Sequence, residues 1–142
     1  MNRFENRTLD KNINAVIIKA NELLKNGSPM MLEILHKNDF KYDSGSGAVV
    51  FSKISNCEKV APIFFYKPKN PFTRAMGYSD GKAIYLNSRK FKSFSHADLV
   101  GLLIHEACHL LFGFSHGSNS PSEEKNKFSV PYFMSSNISK WI

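Results

Sequence analysis

The stretch "HADLVGLLIHEACHLLFG", residues 96–113, decides the fold. From Leu99 to Ile104 it is apolar nearly all round, so the helix it forms has to be central and buried. Ser95 stands just before it with Asp98 three residues on, a pairing that resembles a capping box with aspartate in the usual glutamate position. At the other end Gly113 can take the left-handed conformation that terminates a helix, so the helix is expected to stop near Phe112.

Three polar side chains interrupt this apolar helix: His105, Glu106 and His109. His105 and His109 are one turn apart and project from the same face. Burying a carboxylate and two imidazoles among apolar groups is costly unless they have a partner, and a metal ion would supply one. Two imidazoles on one face can converge on Zn²⁺ at ~2.0–2.1 Å each. Glu106 sits beside them, placed to take a proton from zinc-bound water and pass it to a departing amine. A catalytic zinc needs three protein ligands and one open position. His116 is the candidate third ligand. On a straight helix it would lie roughly 10 Å along the axis from His109, at 1.5 Å per residue. The chain must therefore fold back, and Gly113 and Gly117 give it the places to do so. Glu123 and Glu124, in the polar stretch "SPSEEKNK", are the alternative third ligands.

Outward from the central helix the pattern is mixed. A first helix is expected near Asp10 to Asn26, with Ile13, Val16, Ile17, Ala20 and Leu24 on one face, Asp10 as cap and Gly27 as terminator. Ser28-Pro29 has the form of an N-cap and a proline at the first helical position, ahead of a short helix through "MMLEILHKN". "YDSGSG" is a loop or hairpin turn. "AVVFSKI" and "VAPIFFYK" are expected as strands, being rich in β-branched and aromatic residues. "FTRAMGYSDGKAIYLNSRKF" reads as strand, turn at Asp80-Gly81, strand. The tail "FSVPYFMSSNISKWI" is expected to be irregular, with a short last helix capped by Ser136 or Asn137.

The segment "HEACHLLFGFSHG" resembles the metzincin zinc signature, His-Glu-x-x-His-x-x-Gly-x-x-His, with one additional residue between His109 and Gly113. The resemblance extends over residues 72–136: "TRAMGYS", "AIYLN" and the helix from His96 follow in the order of the metzincin edge strand, last strand and active-site helix. It implies that Met134, in "VPYFMSS", is the methionine of a tight turn beneath the metal. Tyr132 and Tyr78 become candidates for holding the oxyanion or the substrate. It also implies a zincin-like α+β fold. That fold has N-terminal helices, a small twisted mixed sheet, a central active-site helix and an irregular C-terminal subdomain. The substrate would be a polypeptide, added as an extended strand to the sheet edge around Thr73–Ser79.

The chain has 142 residues, the length of one domain, divided on this reading into an N-terminal part (1–112) and a C-terminal subdomain (113–142). No apolar run reaches the ~18 residues of a membrane span. The start "MNRFENRTLD" lacks the apolar core of a secretory signal, which leaves a cytoplasmic protein or a secreted one whose signal has been removed. The net charge of +7 comes from scattered lysines with no basic run, so nucleic acid is not the expected partner; a monomer is expected. Cys57 and Cys108 give no disulfide framework, although a single bridge between them would suit a secreted protein. The expected function is zinc-dependent peptide-bond hydrolysis. The alternatives are a basic binding module that keeps an idle metal site, or a protease recruited to nucleic acid.

Overall fold

A computed structural model of the chain describes residues 2–40, 45–115 and 129–142. The expectations for His116, Glu123 and Glu124 lie outside the described residues, as does the first half of the "YDSGSG" turn. The order is β1 (Phe4–Asn6), α1 (Ile13–Leu23), α2 (Pro29–His36), α3 (Gly47–Ser55), β2 (Ala61–Tyr66), β3 (Gly77–Ser79), β4 (Ile84–Asn87), α4 (His96–Leu110) and α5 (Val130–Ser136), with short 3-10 turns at Phe91–Ser93 and Ile138–Lys140. The class is α+β, built on one mixed, open, four-stranded sheet.

The sheet order is β1-β2-β4-β3. β1 and β2 are parallel, β2 and β4 are parallel, and β3 runs antiparallel to β4 as the edge strand. Ala61, Ile63, Ile84 and Leu86 point inward and are buried. The opposite face carries an aromatic ladder that follows the register. Phe64 stacks on Tyr85, Tyr85 on Tyr78, and Tyr66 sits edge-on to Tyr78. The hairpin between β3 and β4 turns at Asp80-Gly81 as its sequence predicts. Asp80 accepts hydrogen bonds from the backbone N–H groups of Lys82 (2.7 Å) and Ala83 (2.9 Å), an aspartate-closed turn.

The helix ends follow local chemistry. Ser28 accepts from the Met31 N–H at 3.2 Å, with Pro29 in the first turn of α2. Ser95 accepts from the Asp98 N–H at 3.0 Å and starts α4. α1 is shorter than its periodicity suggests. Asn12 is its N-cap, and Asp10 instead receives the Asn12 N–H at 2.9 Å, one step ahead of the helix. Gly27 has φ +85°, the left-handed geometry expected after α1.

Two expectations are corrected, and one strand was not anticipated. "AVVFSKI" is not a strand but lies in α3. Ser46 accepts from the Val49 N–H, and Gly47, Val50 and Ile54 form a buried stripe at helical spacing. The β-branched composition is overridden by the cap and by that stripe. Gly47 is required there, since an added Cβ would overlap the carbonyl oxygens of Ile34 and Lys37. The N-terminal "FEN", with no expectation attached, forms β1 because Arg3 anchors it. The Arg3 guanidinium donates to the carbonyls of Ile54 (2.8 Å) and Cys57, closing the C-terminal end of α3. Finally, the described C-terminal segment is helical rather than irregular. α5 carries Pro131 in its first turn, where the missing N–H is no loss, and Asn137 precedes the last 3-10 turn.

The core is one cluster from Phe4 to Ile138. α4 lies at its centre, packed against α1, α5, β3 and β4. Its buried residues include Leu99, Val100, Leu103, Ile104, Ala107 and Cys108, as the apolar run requires. Among the described residues no helix is long and apolar enough to cross a membrane. Cys57 and Cys108 are not bridged to one another. The Cys57 thiol lies against the Leu111 carbonyl and that of Cys108 against the Met134 sulfur, each at 3.4 Å.

Candidate functional site

The last two turns of α4 carry His105, Glu106 and His109, all partly buried on the face that looks toward β3 and α5. α4 ends where its sequence predicts. Gly113 has φ +72°, and the Phe114 N–H returns to the Cys108 carbonyl at 2.8 Å. This reversal turns the Phe114 carbonyl back toward the helix, where it lies 2.7 Å from His109 Nδ1. A carbonyl only accepts, so Nδ1 carries the proton and Nε2 carries the lone pair. That is the tautomer a metal-ligating histidine needs when its other nitrogen is held by a carbonyl. His105 is steadied from the other side, with the Ser135 hydroxyl of α5 at 3.3 Å from its Nδ1.

The two rings fit a shared ion. At a Zn–N distance of ~2.0–2.1 Å a ring centre stands roughly 3 Å from the metal, so two rings at a tetrahedral angle have centres roughly 5 Å apart. The centres of His105 and His109 are 5.1 Å apart, with the planes at 69°. The chemistry of the donor set and this spacing suit Zn²⁺. Among the described residues no group of three His, Cys, Asp or Glu side chains gathers in a metal-holding arrangement.

Glu106 is fixed from the sheet. The Ser79 hydroxyl at the end of β3 donates to its Oε2 at 2.5 Å. β3 comes this close because Gly77 lacks a side chain. An added Cβ would overlap the Tyr85 carbonyl oxygen and stand 3.1 Å from Leu102 of α4. Within the hairpin, Asn87 donates to the Met76 carbonyl and Asp80 to the Ala83 carbonyl. With Tyr78 opposite Tyr85 in the same register, the backbone groups of Gly77 and Ser79 turn to the open edge.

Two hollows flank the histidines. One, of about 500 Å³, is lined by Tyr78, Ser79, Asp80, His105, Glu106 and His109. The other, of about 460 Å³, runs along α4 past Met76, Leu102 and Tyr132. The structure thus brings His105, Glu106, His109, Tyr132 and Tyr78 together. Tyr132 stands edge-on to His105, with ring centres 5.0 Å apart. Met134 is corrected. It lies within helix α5, not in a tight turn, and is fully buried against Cys108 on the side of α4 facing the core. The proline in the first turn of α5 favours helix there over the turn that the resemblance implies.

Sequence reasoning missed the supporting residues Ser79, Phe114 and Ser135. Ser79 and Ser135 lie far from the motif in the chain, and Phe114 contributes a main-chain carbonyl that no side-chain pattern reports. Asp80 is a turn residue. The N–H groups of Lys82 and Ala83 hold its carboxyl below the ordinary aspartate range. Comparison of the chain with protein-family models, with curated proteins and with solved structures finds no match.

Proposed function

We propose that this protein is a zinc-dependent metalloendopeptidase of metzincin-like, zincin type. The observation that carries the reading is the pair of histidines on α4, each anchored through Nδ1 and spaced for one tetrahedral ion, with Glu106 held beside them by Ser79. His105 and His109 would hold Zn²⁺ through Nε2. His116 is the proposed third ligand. Phe114 already touches the His109 ring, and two further residues reach at most about 7 Å.

When bound, the ion supplies Lewis acidity, polarising a peptide carbonyl and acidifying water. The chain's own residues do the rest. The edge of β3 offers the main-chain groups of Gly77 and Ser79 to an extended polypeptide, fixing its register beside α4. Glu106 accepts a proton from the attacking water as the water oxygen bonds to the carbonyl carbon. It returns that proton to the nitrogen as the C–N bond breaks, so proton and leaving group balance. Ser79 restricts the Glu106 side chain to that position. Tyr132, whose ring stands beside that of His105, would donate its hydroxyl to the carbonyl oxygen as charge builds there.

The test is Glu106→Gln, with zinc measured by elemental analysis and cleavage measured on a peptide library. The amide keeps the shape but cannot take the proton, so zinc should stay bound while activity falls by about 10²–10⁴-fold. Cleavage at the wild-type rate would remove Glu106 from the reaction. A metal-free wild-type protein with no cleavage would leave a binding module instead.

A further inference from the structure

The cavity of about 460 Å³ beside His105 has a one-sided chemistry. Met76, Gly101, Leu102 and Ile138 give its walls an apolar part, and Tyr132, Ser135, Ser136 and Ser139 add neutral polar groups. Gly101 keeps it open, for a Cβ there would stand 3.6 Å from Ile138 and from the Ser135 carbonyl oxygen, and anything larger would enter the space. Among the described residues, the charged side chains on its lining are Glu106 at the catalytic end and Asp98 at the other, with no lysine or arginine. Asp98 is in the first turn of α4, and its main-chain N–H is already taken by Ser95.

We infer that this cavity receives a lysine or arginine side chain of the polypeptide substrate, with Asp98 as the specificity-determining residue. The inference rests on the peptidase reading and names the substrate class for it. Asp98 and His105 are seven residues apart on one face of α4, which is roughly 10 Å at 1.5 Å per residue. An extended lysine side chain spans roughly 6 Å from Cα to Nζ, and a charge-assisted hydrogen bond adds ~2.8 Å. A substrate residue next to the cut can therefore lay its methylene stem along Leu102, Gly101 and Ile138 and bring its cation to Asp98. That division suits the amphipathic build of lysine and arginine, whose stems bury while the head stays polar. A shorter cation would stop short of the Asp98 carboxylate. An acidic side chain would meet two carboxylates.

The experiment is cleavage-site profiling of a random peptide library by mass spectrometry, on the wild type and on Asp98→Asn. The wild type is expected to favour Lys and Arg over norleucine at least tenfold at one position flanking the cut. Asp98→Asn should lower that ratio about tenfold, and Asp98→Lys should turn the preference toward Glu. Equal use of lysine and norleucine by the wild type, or an unchanged ratio in Asp98→Asn, would overturn the inference. If no peptide is cut, the peptidase reading fails on its own, and the pocket is read separately. Fluorescence anisotropy of lysine- and norleucine-containing peptides on Glu106→Gln needs no cleavage. Lysine peptides should bind at least tenfold tighter, and equal binding would sink the pocket assignment.

Discussion

His109 is anchored by a main-chain carbonyl and His105 by a serine hydroxyl, and this asymmetry has a consequence for the third ligand. The Phe114 carbonyl reaches His109 only because Gly113 reverses the chain, so orientation of His109 and delivery of the following residues depend on the same turn. His116 is two residues further on and carries the same ligand chemistry. Glu123 and Glu124 follow in a polar stretch. His116→Ala is therefore expected to weaken zinc binding by well over the 10–100-fold typical of changes to residues that merely support a ligand. Glu123→Ala and Glu124→Ala should leave it unchanged. Competition with a chromogenic chelator measures this directly. The reverse pattern would assign the third position to a carboxylate. In that case the additional residue between His109 and Gly113 has carried His116 past the metal.

At the scale of elements, the hairpin β3–β4 does two jobs. It presents the open edge, and through Ser79 it holds Glu106. Its turn is closed by the Asp80 carboxylate, and the pH dependence follows from that. The N–H groups of Lys82 and Ala83, with the Tyr85 hydroxyl at 3.0 Å, favour the ionised form and lower the Asp80 pKa in the folded state. A depressed carboxylate stabilises at pH above its unfolded value, about 3.9, and that contribution is lost as pH falls through the lower folded value. The hairpin should therefore keep its amide protection through neutral and mildly acid pH, begin to lose it only below about pH 3.9, and lose it fully as pH passes the lower folded value. Asp80→Ala should show the loosened hairpin already at neutral pH, with kcat reduced several-fold as Glu106 loses its register. Hydrogen exchange of residues 77–87 reads both effects. Equal protection in Asp80→Ala at pH 7 would show that the turn does not depend on the carboxylate.

The whole molecule explains which features were legible in the sequence. α4, its cap, its stop at Gly113 and the hairpin at Asp80 are each specified by residues within a few positions of one another, and all of them stand. α3 was not legible as a helix because its composition favours strand. Its identity is settled by a serine cap and by packing so close that only glycine fits at 47. β1 was not legible because three residues carry no period, and the arginine that fixes it contacts carbonyls more than fifty positions away. The site shows the same division, with the motif on one helix and its supports supplied by distant β3 and α5. One cluster of buried side chains joins these parts, and Met134 of α5 touches Cys108 of α4 directly behind the histidines. On the proposed reading, a metal held by His105 and His109 should thus act on the stability of the entire domain. Bound ion adds RT ln(1 + [L]/Kd), about 2.7 kcal/mol at a hundredfold excess over Kd. For a domain of this size that is a fall in Tm of roughly 5–10 °C when a chelator removes it. Met134→Leu separates packing from ligation. It nearly conserves volume and should cost less than ~1.5 kcal/mol, lowering Tm slightly in both states while the shift caused by chelation stays the same. Calorimetry of the two proteins with and without chelator gives all four values. A chelation shift that disappeared in Met134→Leu would make Met134 part of the metal's support, and a wild type with no shift after verified metal removal would reject the metal site.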